Sequence, residues 1–172
     1  MQRDSRIILG VALVAVTVSV GFFLFYRSDV QNGSLSAAVN TQQSATAVPF
    51  TPLAEGSRST VTRRVNYLIT SPDQLSKLWK MVDATGTPPA VDFKTQAVIA
   101  VFAGERPAAG YRIAVSKVED ASARVVSITI AEPAADCMLA QTITAPYEVV
   151  AVPVTSLPFT HEDVSVTTTC AN

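Results

Sequence analysis

The run "QAVIAVFAG", residues 96–104, most restricts how this chain folds. It holds seven consecutive apolar residues, from Ala97 to Ala103. Successive strand residues point to opposite faces. An apolar run of this kind therefore fits a central strand covered on both sides. The other strand candidates alternate instead, as half-buried strands do. They are residues 59–70, 111–118, 124–132, 137–144, 147–154 and 162–169. Pro153 marks a strand end or an edge, because proline has no N–H for the ladder. The stretch "GERPAAGY", 104–111, reads as a hairpin turn between two strands. Short strands at this spacing predict a mainly β (α+β) fold, an antiparallel β-sandwich or a partly closed barrel.

One helix interrupts the strands. In "SPDQLSKLWKMV", 71–82, Ser71 fits an N-cap and Pro72 the first helical position. Gln74 completes a capping box and Asp73 suits the helix dipole. Leu75, Leu78, Trp79 and Val82 share one face. Trp79, the only tryptophan, reads as a plug between helix and sheet. Gly86 and Pro88-Pro89 end the helix.

A second apolar run lies near the start. Residues 7–26, "IILGVALVAVTVSVGFFLFY", contain no charge and no proline. About 20 residues at 1.5 Å per residue match a hydrocarbon core of roughly 30 Å. Two readings compete, a cleaved secretory signal and a retained anchor. The run exceeds a usual signal core and no clean small-x-small site follows. The retained transmembrane helix is the expectation, with residues 1–6 as a short tail. Arg3 and Arg6 precede the span and Arg27 follows it, which places the N-terminus inside. Residues 28–47 are rich in Ser, Ala, Gln, Asn and Thr and read as a flexible linker. Residues 48–172 then form one extracytoplasmic, periplasmic domain on a single-pass inner-membrane anchor. Cys137 and Cys170 are expected to pair there, since that compartment is oxidising.

The search for chemistry excludes more than it finds. The chain carries 13 basic and 14 acidic residues, with no basic stripe to hold nucleic acid. His161 is the single histidine and reads as a solvated loop residue beside Glu162 and Asp163. No P-loop, G-x-G-x-x-G, C-x-x-C, H-E-x-x-H or G-x-S-x-G occurs. No catalytic residue, metal ligand or cofactor is therefore assigned, and the domain reads as non-enzymatic.

An ordered set of short motifs carries a resemblance. A helix with Leu78 and Trp79 precedes "PPAVDF" with Asp92 and Phe93. Gly104, Arg106, Gly110 and Tyr111 follow, then Gln141, Thr144, Pro146 and Tyr147. From about residue 48 onward the chain resembles the C-terminal domain family of PrcB, a protease complex subunit. Ala108 and Ala109 depart from that family's small polar residue and glycine. The resemblance implies a membrane-tethered, non-enzymatic domain that binds a protein partner and assists assembly or stability of an extracytoplasmic protease complex. A thinner resemblance links "RPAAGYRI" to the inserted loop of chagasin-like protease inhibitors, which implies inhibition through 104–111. The third reading is a structural or small-ligand β module of the envelope. Candidate binding residues are Glu105, Arg106, Pro107, Gly110 and Tyr111. Trp79, Asp92, Phe93, Gly104, Gln141, Pro146 and Tyr147 are expected to be structural. Pro107 fixes its own φ and extends Arg106. Arg106 and Tyr111 are types enriched at interface hot spots. Outward side chains favour a binding edge and inward ones a plain turn.

Overall fold

The computed structural model describes residues 44–170. The expected tail, the 7–26 span and the linker through residue 43 lie outside them. Eight strands and one helix follow in order: β1 Thr46–Ala47, β2 Thr51–Gly56, β3 Val65–Ile69, α1 Pro72–Trp79, β4 Gln96–Phe102, β5 Arg112–Asp120, β6 Arg124–Pro133, β7 Tyr147–Pro153 and β8 Phe159–Thr168. They form two four-stranded sheets, ordered β1-β5-β6-β8 and β2-β7-β4-β3. The fold is a β-sandwich and not a closed barrel.

The apolar run at 96–104 explains the layering. β4 lies inside the second sheet, between β3 and β7. Ala97, Ile99 and Val101 face the first sheet and meet Val115, Val126 and Ile128. Val98, Ala100 and Phe102 face the other way and meet Leu75, Leu78 and Tyr147. One strand thus serves two cores, so neither of its faces tolerates a polar residue. α1 covers the outer face of this sheet. Its start follows the capping pattern: the Ser71 hydroxyl accepts from the Gln74 N–H, with Pro72 in the first turn. Gln74 Oε1 in turn accepts from the Thr70 N–H at 2.8 Å. Trp79 packs half-buried against the second core.

Several expectations are corrected. The strand over 59–70 begins only at Val65; before it Ser59 makes an isolated bridge to Val82. Residues 104–111 are not a hairpin, because β4 and β5 belong to different sheets. Residues 137–144 form no strand, since the chain there crosses from one sheet to the other. β8 pairs parallel with β6, so the sandwich is not wholly antiparallel. The intervening β7 lies in the opposite sheet and returns the chain to the start of β6. β2 was given by no alternation. It is an edge strand, where Pro52 is tolerated. Thr46 and Ala47, within the stretch read as linker, pair with Asp120 and Glu119.

Two buried polar anchors tie the sheets. The Arg124 guanidinium is forked onto Asp120, with both contacts at 2.6 Å. It also donates to the Pro153 carbonyl and lies over the Phe159 ring. Glu148 of β7 is buried and accepts from the Val115 N–H of β5 at 2.5 Å. That contact sits where the β5–β6 register shifts, between Val115 and Lys117.

Candidate functional site

Two crossover loops meet at one end of the sandwich. The first runs from the end of β4 to the start of β5, residues 103–111. The second joins β6 to β7, residues 134–146. Backbone bonds lock them together. Arg106 N–H donates to the Thr144 carbonyl at 2.7 Å, and Thr144 N–H returns to the Arg106 carbonyl at 3.0 Å. Ala109 N–H donates to the Ala140 carbonyl at 3.0 Å. The Thr144 hydroxyl donates to the Ala108 carbonyl at 3.0 Å. On the other side, Glu105 N–H donates to the Thr62 carbonyl at 3.1 Å.

Glycine permits this close seating. Gly104 has φ +76°, and a Cβ there would lie 2.8 Å from the Arg63 carbonyl carbon and 2.9 Å from the Arg64 nitrogen. Gly110 has φ +93°, but its nearest neighbours, Leu139 and Pro133, stand off at 3.5 Å. The second loop is held at its base by a disulfide. Cys137 and Cys170 are joined, with Cα atoms 5.3 Å apart. Ala134 N–H also donates to the Thr168 carbonyl at 3.0 Å.

The surface this platform presents combines one arginine with apolar side chains. Arg106 is half-buried and lies over the Tyr111 ring, 5.6 Å from its centroid. Its nearest carboxylate, Glu132, stands at 4.0 Å, and its Nε is buried with no hydrogen-bond partner. Tyr111 is half-buried too, so neither side chain points cleanly in or out. Glu105, Pro107 and Gln141 are exposed. Met138 is 98% exposed and Ile143 68%.

Residues 97–153 match the family model described as PrcB C-terminal. This segment belongs to the PrcB C-terminal family. The match runs from β4 through β7 and encloses both loops. Comparison with curated proteins and with solved structures returned no match.

Within the PrcB C-terminal segment, most of the motif residues serve the platform. Gly104 and Thr144 seat the loops on each other. Pro146 is fully buried. Tyr147 stacks near Phe102, with ring centroids 6.1 Å apart. Burial and then the Asp83 carboxylate beside its hydroxyl push Tyr147 up to about 12. Upstream of the matched segment, the Asp92 carboxylate accepts from Lys94 N–H and Thr95 Oγ1, each at 3.1 Å. It thereby shapes the turn into β4. Phe93 packs against the second core.

Glu148 and Asp120 are spent on contacts within the sandwich. Burial raises the Glu148 carboxyl, the Val115 N–H opposes that, and Glu55 adds to the rise. The Arg124 hydrogen bond holds the Asp120 carboxyl below the usual range. Asp136, Cys137 and Cys170 cluster as metal ligands would, but both sulfurs are joined to each other. His161 is exposed on β8, not in a loop. It lines a cleft of about 190 Å³ between β3 and β8, with Leu68, Ile99, Ile128 and Phe159.

Sequence reasoning found the first loop and missed the second. "CMLAQTIT" alternates enough to read as a strand. The brackets Pro133 and Pro146 were the available signal that the segment is a crossover.

Proposed function

We propose that this chain is a non-enzymatic accessory subunit of an extracytoplasmic protease complex. It is anchored in the inner membrane through residues 7–26, N-terminus inside, and docks on a protein partner through the loop pair. The observation that carries the reading is the match to the PrcB C-terminal family, whose matched segment contains both loops. Met and Arg are enriched at interfaces, and Met138 is exposed on the second loop while Arg106 lies on the first. Inhibition by an inserted loop gains no support from the geometry. Ala108, the centre of the segment resembling the inhibitor loop, is buried under Thr144.

The test is site-specific photocrosslinking with the full chain in its native membrane. A photoreactive residue at position 138 or 143 yields an adduct with a protease-complex subunit. The same residue at Lys94, at the opposite end of β4, does not. Equal adducts at both ends, or none at the loops, refute the docking surface.

The β3–β8 cleft supports a second reading, a small-ligand module. Its apolar lining and the polar Asn66, Thr160 and His161 fit a small ring with one polar group. Phenol then shifts the methyl resonances of Ile99, Val126 and Ile128. Unshifted methyls remove this reading.

A further inference from the structure

Arg106 differs from the other arginines that tie elements of this fold together. Arg124 is saturated by a forked contact to Asp120, both bonds at 2.6 Å. Arg64 is forked onto Asp163 at 2.9 and 2.6 Å. Among the described residues the Arg106 side chain makes no hydrogen bond. Glu132 is its one carboxylate neighbour, at 4.0 Å, beyond hydrogen-bond reach. A guanidinium has five N–H donors in a planar fork that suits a carboxylate.

The unused fork is already held in place. The Arg106 backbone is bonded both ways to Thr144. Pro107 restrains the chain after it. The Tyr111 ring supports the guanidinium from one side. A group ordered in advance loses less entropy on binding. Ile143 precedes Thr144, and Met138 precedes the Leu139 that packs on Gly110, so both exposed side chains belong to the same platform.

The surrounding charge restricts the partner. Arg63 and Arg112 are exposed on this end beside the half-buried Arg106, against the exposed Glu105 and Asp136 and the half-buried Glu132. These charges balance, so no strong positive field draws a polyanion or an anionic membrane. A single carboxylate next to apolar surface suits both the fork and the exposed side chains.

We infer that Arg106 pairs with an acidic side chain of a protein partner, whose neighbouring apolar recess takes Met138 and Ile143. This inference rests on the docking reading above. Its test uses the full chain with 15N-labelled arginine and three probes: the blocked tripeptides Ac-Leu-Glu-Leu-NH2 and Ac-Leu-Gln-Leu-NH2, and inorganic phosphate. The Glu peptide shifts the Arg106 Nη resonances and the Met138 methyl, and binds at least about tenfold more tightly than the Gln peptide. Arg106→Gln abolishes that preference, while Met138→Ser weakens both peptides alike. Equal binding of the two peptides overturns the inference. So does a phosphate shift as large as that of the Glu peptide, or no shift with either peptide at about 10 mM. The two readings separate in the crosslinking experiment. Arg106→Gln that leaves the crosslinked partner and its salt dependence unchanged removes the carboxylate contact and leaves the docking surface standing.

Discussion

Three glycines with positive φ allow the cost of loop seating to be isolated. Gly86, Gly104 and Gly110 have φ of +83°, +76° and +93°. Alanine at any of them takes on the left-handed backbone penalty, about 1–2 kcal/mol. The surroundings then differ. A Cβ at Gly86 meets nothing within 4 Å, and one at Gly110 meets side chains at 3.5 Å, an ordinary contact. At Gly104 it lies 2.8–3.0 Å from Arg63 and Arg64 backbone atoms. Backbone cannot rotate away as a side chain does, so the 61–64 segment must move. That motion breaks the Glu105–Thr62 bond, worth about 1 kcal/mol net. Gly104→Ala therefore costs about 2–3 kcal/mol, against about 1–2 kcal/mol for the other two. For a domain of this size 3 kcal/mol lowers Tm by about 10 °C. Urea titration followed by the fluorescence of Trp79, the only tryptophan, measures all three on one signal. A Gly104→Ala cost no larger than that of Gly86→Ala refutes the close-approach argument.

Other perturbations test the remaining anchors. Replacing Cys137 and Cys170 by serine frees a link across 33 residues of sequence and costs about 3–4 kcal/mol in the chain-entropy model, read by urea titration. Asp120→Ala costs more than Arg124→Met, about 3 against about 1–2 kcal/mol. Arg124 is 3% exposed and cannot recover water, whereas Asp120 at 26% can; equal costs would argue against this asymmetry. Glu148 and Asp120 impose opposite pH slopes. The raised Glu148 carboxyl binds its proton more tightly folded than unfolded, so stability falls as pH rises from the usual carboxylate range through its raised value. Glu148→Gln flattens that slope. The lowered Asp120 carboxyl adds stability above its unfolded pKa, lost as pH falls through its folded one. Asp120→Asn removes that acid-side loss. Denaturation midpoints across pH read both effects.

Local chemistry was legible where one segment settles its own fate. The seven apolar residues of 97–103 announced a strand with two covered faces. Ser71, Pro72 and Gln74 announced the helix start. The expected Cys137–Cys170 pair forms. What escaped depends on contacts far along the chain. Whether 104–111 turns back as a hairpin or crosses between sheets is decided by which strands β4 and β5 pair with, and both outcomes need Gly104 and Gly110. β8 alternates equally well beside a parallel or an antiparallel neighbour, so its register with β6 carried no local mark. Arg124 opens an alternating segment, and nothing local marks it as buried. Only its fork onto Asp120 and its contact with Pro153 make it a buried tie.

The two parts of the loop end divide their work differently from what residue type alone suggests. Pro146 and Tyr147, expected to be structural, are both buried and hold the sheet in place. Thr144 is spent on the first loop through its hydroxyl and both backbone groups. Arg106 is the motif residue whose charged nitrogens the fold leaves without a hydrogen bond. Met138 and Ile143 stand outside the motif and are, among the described residues, the most exposed large apolar ones. A platform fixed by one set of residues can therefore carry a different set at its tips. On this division, changes at Met138 or Ile143 alter which partner binds while the domain stays folded. Changes at Gly104 or Thr144 lose binding and stability together. The two classes separate in a single experiment that measures crosslinking yield and urea midpoint on the same variants, and a Met138→Ser variant that unfolds as readily as Gly104→Ala would collapse the distinction.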